Sequence, residues 1–178
     1  LCECDSVLRF LPREGLLDPW RAADSRAVLT GRLPLASLAR LRELLLDTAG
    51  DVSFRLEFSR DEERRAVLHC EVAATLRLRC QRCLESLYHA VDTSMDLAPV
   101  SGMEEERRLP ERYDPLPVSA RLIRPMDLIE DELLLALPQI PMHEPDACAS
   151  KAPDADEVKT QSGQTSPFAV LAGLKREH

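Results

Sequence analysis

The strongest pattern along the chain is alternation. Val52, Phe54, Leu56 and Phe58 alternate with Ser53, Arg55 and Glu57, and a charged turn follows from Ser59 to Arg65. The alternation then resumes, with Leu68, Cys70, Val72, Ala74, Leu76 and Leu78 set against His69, Glu71, Thr75, Arg77 and Arg79. A third run, Leu87 to Leu97, places Val91, Met95 and Leu97 on one side and Asp92, Ser94 and Asp96 on the other. Successive side chains of a strand point to opposite faces, so period two predicts three strands, each with one buried and one wet face. Short turns join them, which makes an antiparallel meander rather than a parallel sheet.

Elsewhere the period lengthens. Leu35, Leu38, Leu41, Leu44 and Leu45 form an apolar stripe that predicts a short helix stopped at Gly50. From Asp127, the positions Leu128, Ile129, Leu133, Ala136 and Leu137 make a second helical stripe that Pro138 ends. Asp127 and Glu130 have capping-box spacing, and Glu130, Asp131 and Glu132 read as capping and solvated acids near the positive end of the helix. Residues 18–34 and the acidic, proline-bearing residues 101–117 read as loops. The fold class is therefore α+β: an antiparallel β-meander sheet covered on one face by helices. Residues 1–16 are expected to be an unstructured lead, 17–148 one domain, and 149–178 an acidic disordered linker with a short C-terminal helix. In that last segment Phe168, Leu171 and Leu174 recur every three residues and form a candidate partner-docking edge. A helix that short is not stable alone in water, so something must bury it.

Charge narrows the partners. The 178 residues carry a net charge of −8, whereas a protein that grips RNA by neutralising phosphates is expected to be basic. The aromatic residues, 4% of the chain, are scattered and form no stacking platform. No apolar run reaches the roughly 18–20 residues that span a bilayer, so no membrane contact is expected. The first residues carry acids and lack a basic flank followed by an apolar stretch, so no signal peptide is expected and the cytoplasm is the default. In a reducing cytoplasm six cysteines point to free thiols or a metal site rather than to disulfides.

Candidate chemistry concentrates at Cys80-Gln81-Arg82-Cys83, where the second strand turns into the third. Two thiolates on such a knuckle face one ion, and His143 and Cys148 beyond the Pro138–Pro141 stop supply the two further ligands that one tetrahedral zinc needs. The alternative is a set of reduced thiols without metal. Cys70, on the core face of its strand, reads as packing. A redox role is disfavoured, because thioredoxin-like pairs sit at a helix N-terminus and this pair lies between antiparallel strands. The six glycines are scattered singly and form no phosphate loop, and no catalytic set is suggested, so no enzymatic activity is expected. Arg77, Arg79 and Arg82, with Arg55 on the neighbouring strand, form a candidate RNA-phosphate patch or a plain solvated strand face.

Three separated motifs resemble one family. The stretch LRLRCQRCL (76–84) resembles the YceD strand that runs into Cys-Gln-Arg-Cys. DLIEDELLLALPQIPMHEPDAC (127–148) is similar to that family's acidic helix followed by Leu-Pro, a hydrophobic-Pro turn, His and Cys. SPFAVLAGLK (166–175) is similar to its closing segment. Asp18-Pro19 and Gly31-Arg32-Leu33-Pro34-Leu35 also fit, so the resemblance covers the chain from Leu17 on. It implies a bacterial ribosome-biogenesis role, in accumulation of large-subunit (23S) ribosomal RNA, and supplies no catalytic mechanism. The implied partner is that RNA or its precursor particle, met directly or through a protein, and not DNA. A rival reading is an adaptor that holds a ribosomal protein or an RNA-processing enzyme without touching RNA.

Overall fold

A computed structural model describes residues 15–144 and 147–148. The lead up to residue 14 and the docking residues Phe168, Leu171 and Leu174 lie outside the described residues. The three expected strands are present as β2 (Asp51–Arg60), β3 (Ala66–Arg79) and β4 (Ser86–Val100). Their pairing is antiparallel, with Leu56 opposite Cys70 and Ala74 opposite Val91. The wet and buried faces fall where the alternation puts them: Val52, Leu56, Leu68 and Leu76 are wholly buried, while Arg55, Glu71 and Asp92 are exposed.

Two further strands lie at the edges, in segments read as loops. β1 (Val28–Pro34) pairs antiparallel with β2, and β5 (Asp114–Pro117) pairs parallel with β4. The sheet order is β1-β2-β3-β4-β5, so the sheet is mixed rather than purely antiparallel. Gly31 and Pro34 hid β1, yet an edge strand tolerates proline because its outer N–H groups need no ladder partner. β5 is parallel because residues 101–113 are long enough to cross over and bring the chain back in the same direction. That crossover contains a single helical turn, Met103–Glu106.

The helical layer packs on one face of the sheet into a single core. The loop expected near Asp18 is instead helix α1 (Pro19–Ser25): Asp18 Oδ1 accepts from the N–H groups of Trp20 and Arg21, and Pro19 occupies the first turn. The helix expected over Leu35–Leu45 is two separate 3₁₀ turns, Leu35–Ser37 and Leu41–Glu43. The reason lies in the spacing, since leucines at 35, 38, 41 and 44 repeat every three residues, the period of a 3₁₀ turn. Leu35, Leu38 and Leu41 are buried, and Leu44 is exposed.

The acidic helix α2 spans Pro125–Leu135 and starts two residues before the expected Asp127; it is capped by no side chain. Glu130 does not close a capping box. Its carboxylate reaches across to the 3₁₀ segment and accepts from the N–H groups of Arg40 (2.7 Å) and Leu41 (3.0 Å) and from Arg40 Nε (3.0 Å). Glu130 and Glu132 are both buried, which corrects their reading as solvated acids. Among the described residues no helix is long and apolar enough to cross a membrane.

These two acids oppose each other in pH. Burial works against ionised Glu130, but the Leu41 N–H, the Arg40 guanidinium and the Arg40 N–H outweigh it and hold the carboxyl below its ordinary value of 4.5. Its stabilisation is therefore present above that pH and is lost as pH falls through the lowered value. Burial, with Asp131 and Asp114 nearby, pushes Glu132 above 4.5, so its ionisation near neutrality costs stability that is regained on acidification. Glu130→Ala leaves two backbone donors without their acceptor and is expected to cost about 3 kcal/mol at pH 7, by denaturant unfolding. Glu132→Gln is expected to raise the Tm at pH 7 and to leave it unchanged at pH 4.

Candidate metal centre

The knuckle forms because β3 and β4 are joined by a tight turn. Cys80 N–H donates to the Glu85 carbonyl at 2.9 Å and Leu84 N–H donates to the Cys80 carbonyl at 2.9 Å. Leu84 takes a left-handed φ of 63°, a conformation that favours glycine, to bring Cys83 back towards Cys80. The other half comes from the loop after α2. Gln81 N–H donates to the Pro141 carbonyl at 2.8 Å and draws that loop across the turn. His143 Nε2 lies 3.1 Å from the Ser86 carbonyl, which only accepts, so Nε2 carries the proton. The unprotonated Nδ1 then faces Cys83 Sγ at 3.3 Å. The N–H groups of Ala147 and Cys148 donate to the Glu144 carbonyl, and this turn sets Cys148 Sγ 3.9 Å from Cys80 Sγ.

The four residues singled out by spacing thus converge, with all four ligand atoms within 4.8 Å of one another. Zinc bonds of about 2.3 Å to sulfur and about 2.05 Å to nitrogen give tetrahedral edges of about 3.8 Å and about 3.6 Å. The observed 3.9 Å and 3.3 Å edges fit an ion at the middle. Cys80 and Cys148 are buried, and Cys83 and His143 are half-buried. Burial opposes ionisation of Cys80, yet the N–H groups of Cys83, His143 and Arg82 aim at its sulfur and bring the thiol down to about 5. Cys148, buried against the Cys83 and Cys80 sulfurs, is pushed up to about 11. Three thiolates cannot share so small a volume without a cation, and a divalent ion removes that repulsion. Cys70 lies apart in the core, where burial raises its thiol to about 12.

The arginines do not converge in the same way. Arg55 pairs with Glu57 at 2.8 Å and stands opposite Glu71 in the register, six residues along β3 from Arg77. At ~3.3 Å per residue that is about 20 Å, so Arg55 does not belong to the knuckle. Arg77 is tied to Asp47 at 2.5 Å. Arg79 and Arg82 are exposed and in no ion pair among the described residues; Arg82 reaches Met142 Sδ at 4.0 Å. The sequence reading missed the Ser86 carbonyl that orients His143, since a backbone acceptor leaves no residue-type signal. It also missed Glu130, whose role depends on a segment 90 residues away.

A family model described as "Large ribosomal RNA subunit accumulation protein YceD" matches residues 68–175. The chain belongs to the YceD family. A Haemophilus influenzae protein named Large ribosomal RNA subunit accumulation protein YceD is 31% identical over 170 residues, which cover 90% of this chain and 95% of that protein. No solved structure matches. The YceD match contains all four candidate ligands as well as Phe168, Leu171 and Leu174, and begins beyond Arg55.

Titration of the metal-free chain with Co²⁺ is expected to give thiolate charge-transfer absorption and the d–d bands of a tetrahedral site, saturating at one equivalent. Cys80→Ser is expected to abolish the charge-transfer signal at that stoichiometry.

Proposed function

We propose that the chain is a non-enzymatic assembly factor that supports the synthesis, processing or stability of large-subunit (23S) ribosomal RNA in the bacterial cytoplasm. The observation that carries this reading is the match over 90% of the chain to a protein named for large ribosomal RNA subunit accumulation. The geometry supports a structural rather than a catalytic centre. Three cysteines and one histidine supply all four corners of a tetrahedron, and structural zinc sites are closed in this way whereas catalytic ones keep an open position. The ion we assign is zinc, because thiolate-rich tetrahedral sets select it over harder divalent ions. When bound, it cross-links the β3–β4 turn to the loop after α2, and its binding free energy becomes folding free energy.

The partner is the large-subunit RNA or its precursor particle, reached directly or through a protein. The charge distribution favours contact through a protein: the net charge is −8, and two of the four candidate RNA-binding arginines are already paired with acids.

Two measurements test these readings separately. Protein purified without chelator is expected to carry one zinc per chain by elemental analysis, and a stable metal-free domain contradicts the assignment. A deletion strain is expected to show a lowered ratio of large- to small-subunit ribosomal RNA, restored by the wild-type gene. An unchanged ratio under cold and normal growth contradicts the function.

A further inference from the structure

The face of the sheet turned away from the core is covered by no helix over β2, β3 and the first part of β4 among the described residues, and its side chains on β2, on β3 and on β4 as far as Asp96 are exposed or half-buried. Two open troughs lie on it. The first, about 470 Å³, has a floor of small side chains, Ser53, Ala73 and Ser94, between Arg55, Glu71 and Asp92. The second, about 460 Å³, lies between the Asp47–Asp51 turn and Thr75, Arg77 and Tyr88.

Charge within the troughs is unevenly matched. Arg55 is held by Glu57 and Glu71, and Arg77 by Asp47. Asp92 in the first trough and Asp51 in the second are in no ion pair among the described residues. Tyr88 is 71% exposed, with the Arg77 guanidinium 5.8 Å from its ring centroid on one side. A large aromatic left in water on a strand face, lining the same trough as an unpaired carboxylate, suits a cationic side chain. The ring attracts the cation through its quadrupole, and the carboxylate accepts its hydrogen bonds. Phosphates are the wrong ligand here, since they meet Asp51 and Asp92 on a chain of net charge −8. Ala73 stands opposite both Ser53 and Asp92, and Asp51 lies two residues before Ser53, so the backbone positions of Asp51 and Asp92 are about 12 Å apart across the sheet. Three or four residues of an extended segment span that distance, at ~3.3 Å each.

We propose that this bare sheet face is the docking surface for a basic, arginine- or lysine-rich segment of a partner protein, with one cationic side chain on Tyr88 and Asp51 and a second on Asp92. The proposal deepens the assembly-factor reading by naming the chemistry of what the factor holds, and rests on that reading only for the setting in which the partner is met.

The test uses the full, metal-loaded chain and three fluorescein-labelled probes: a peptide of alternating arginine and glycine, its glutamate counterpart, and a 20-nucleotide single-stranded uridine RNA. Anisotropy at low and at physiological salt is expected to register binding of the arginine peptide alone. The pair Asp51→Asn with Asp92→Asn is expected to weaken it at least tenfold, and Tyr88→Ala at least threefold. The charge-matched pair Asp154→Asn with Asp156→Asn, in the segment outside the described residues, is expected to change it less than twofold. All altered face residues are exposed, so metal content and Tm should stay constant. Equal weakening by the charge-matched pair, no effect of Tyr88→Ala, or RNA binding lost in the face variants overturns the proposal. Binding is read without ribosomes, so failure here leaves the ribosomal RNA reading standing, and an unchanged RNA ratio in the deletion strain leaves this surface standing.

Discussion

The fold depends on closing the β3–β4 turn onto a loop that arrives 68 residues later, where Cys80 and Cys148 meet. Among the described residues the helices of this five-stranded sheet lie on one face, and that thin layer needs to be held in place. α1 has 7 residues and α2 has 11, too few for either to be stable without packing. Joining chain ends so far apart carries a loop-closure cost that grows with the logarithm of loop length, so a cross-link there removes much of the freedom of the unfolded chain. A metal held by these four donors would do this under reducing conditions too, where a disulfide does not persist. The Glu130 clasp acts at the middle of the helix before that loop, satisfying the N–H groups of Arg40 and Leu41. α2 is thereby pinned at its middle by a carboxylate and just beyond its end by the centre.

The meander was legible in the sequence because β2, β3 and β4 each keep one wet face, which gives an unbroken period of two. The centre was legible because thiols and imidazole are scarce residue types, and Cys80, Cys83, His143 and Cys148 fall at turn positions on either side of the helix. Elements whose signal is carried by backbone geometry were not legible. β5 has only four residues and three of its side chains are exposed, so it has no alternation to show. α1 announces itself only through Asp18-Pro19, a cap rather than a stripe. The leucines at 35, 38 and 41 carried the correct period, but three per turn was read as a helix stripe. Glu130 lay beyond sequence reasoning for another reason: the same spacing suits a capping box and a long-range clasp, and only the packing of α2 against the 3₁₀ segment decides between them.

The distribution of charge links fold to function. Among the described residues the helices lie on one face and leave most of the other face of the sheet exposed, where acids stand beside arginines of which Arg55 and Arg77 are paired with them and Arg32 and Arg79 are in no ion pair. The exposed, unpaired cations at the knuckle, Arg79 and Arg82, lie at the far end of the β3–β4 hairpin from the acids Asp96 and Glu57. This layout supports the proposal that a ribosomal particle is met through basic proteins rather than through bare phosphate. A metal bound by all four donors would fit the proposed role, since it would add rigidity without adding an open coordination position.

A metal bound at this centre would hold α2 and its following loop onto the sheet. Native-state hydrogen exchange on the full chain, before and after removal of the metal, measures this residue by residue. Metal removal is expected to deprotect the amides of residues 128–144 by at least tenfold while those of β2 and the middle of β3 remain protected. Equal protection of α2 with and without metal would contradict it.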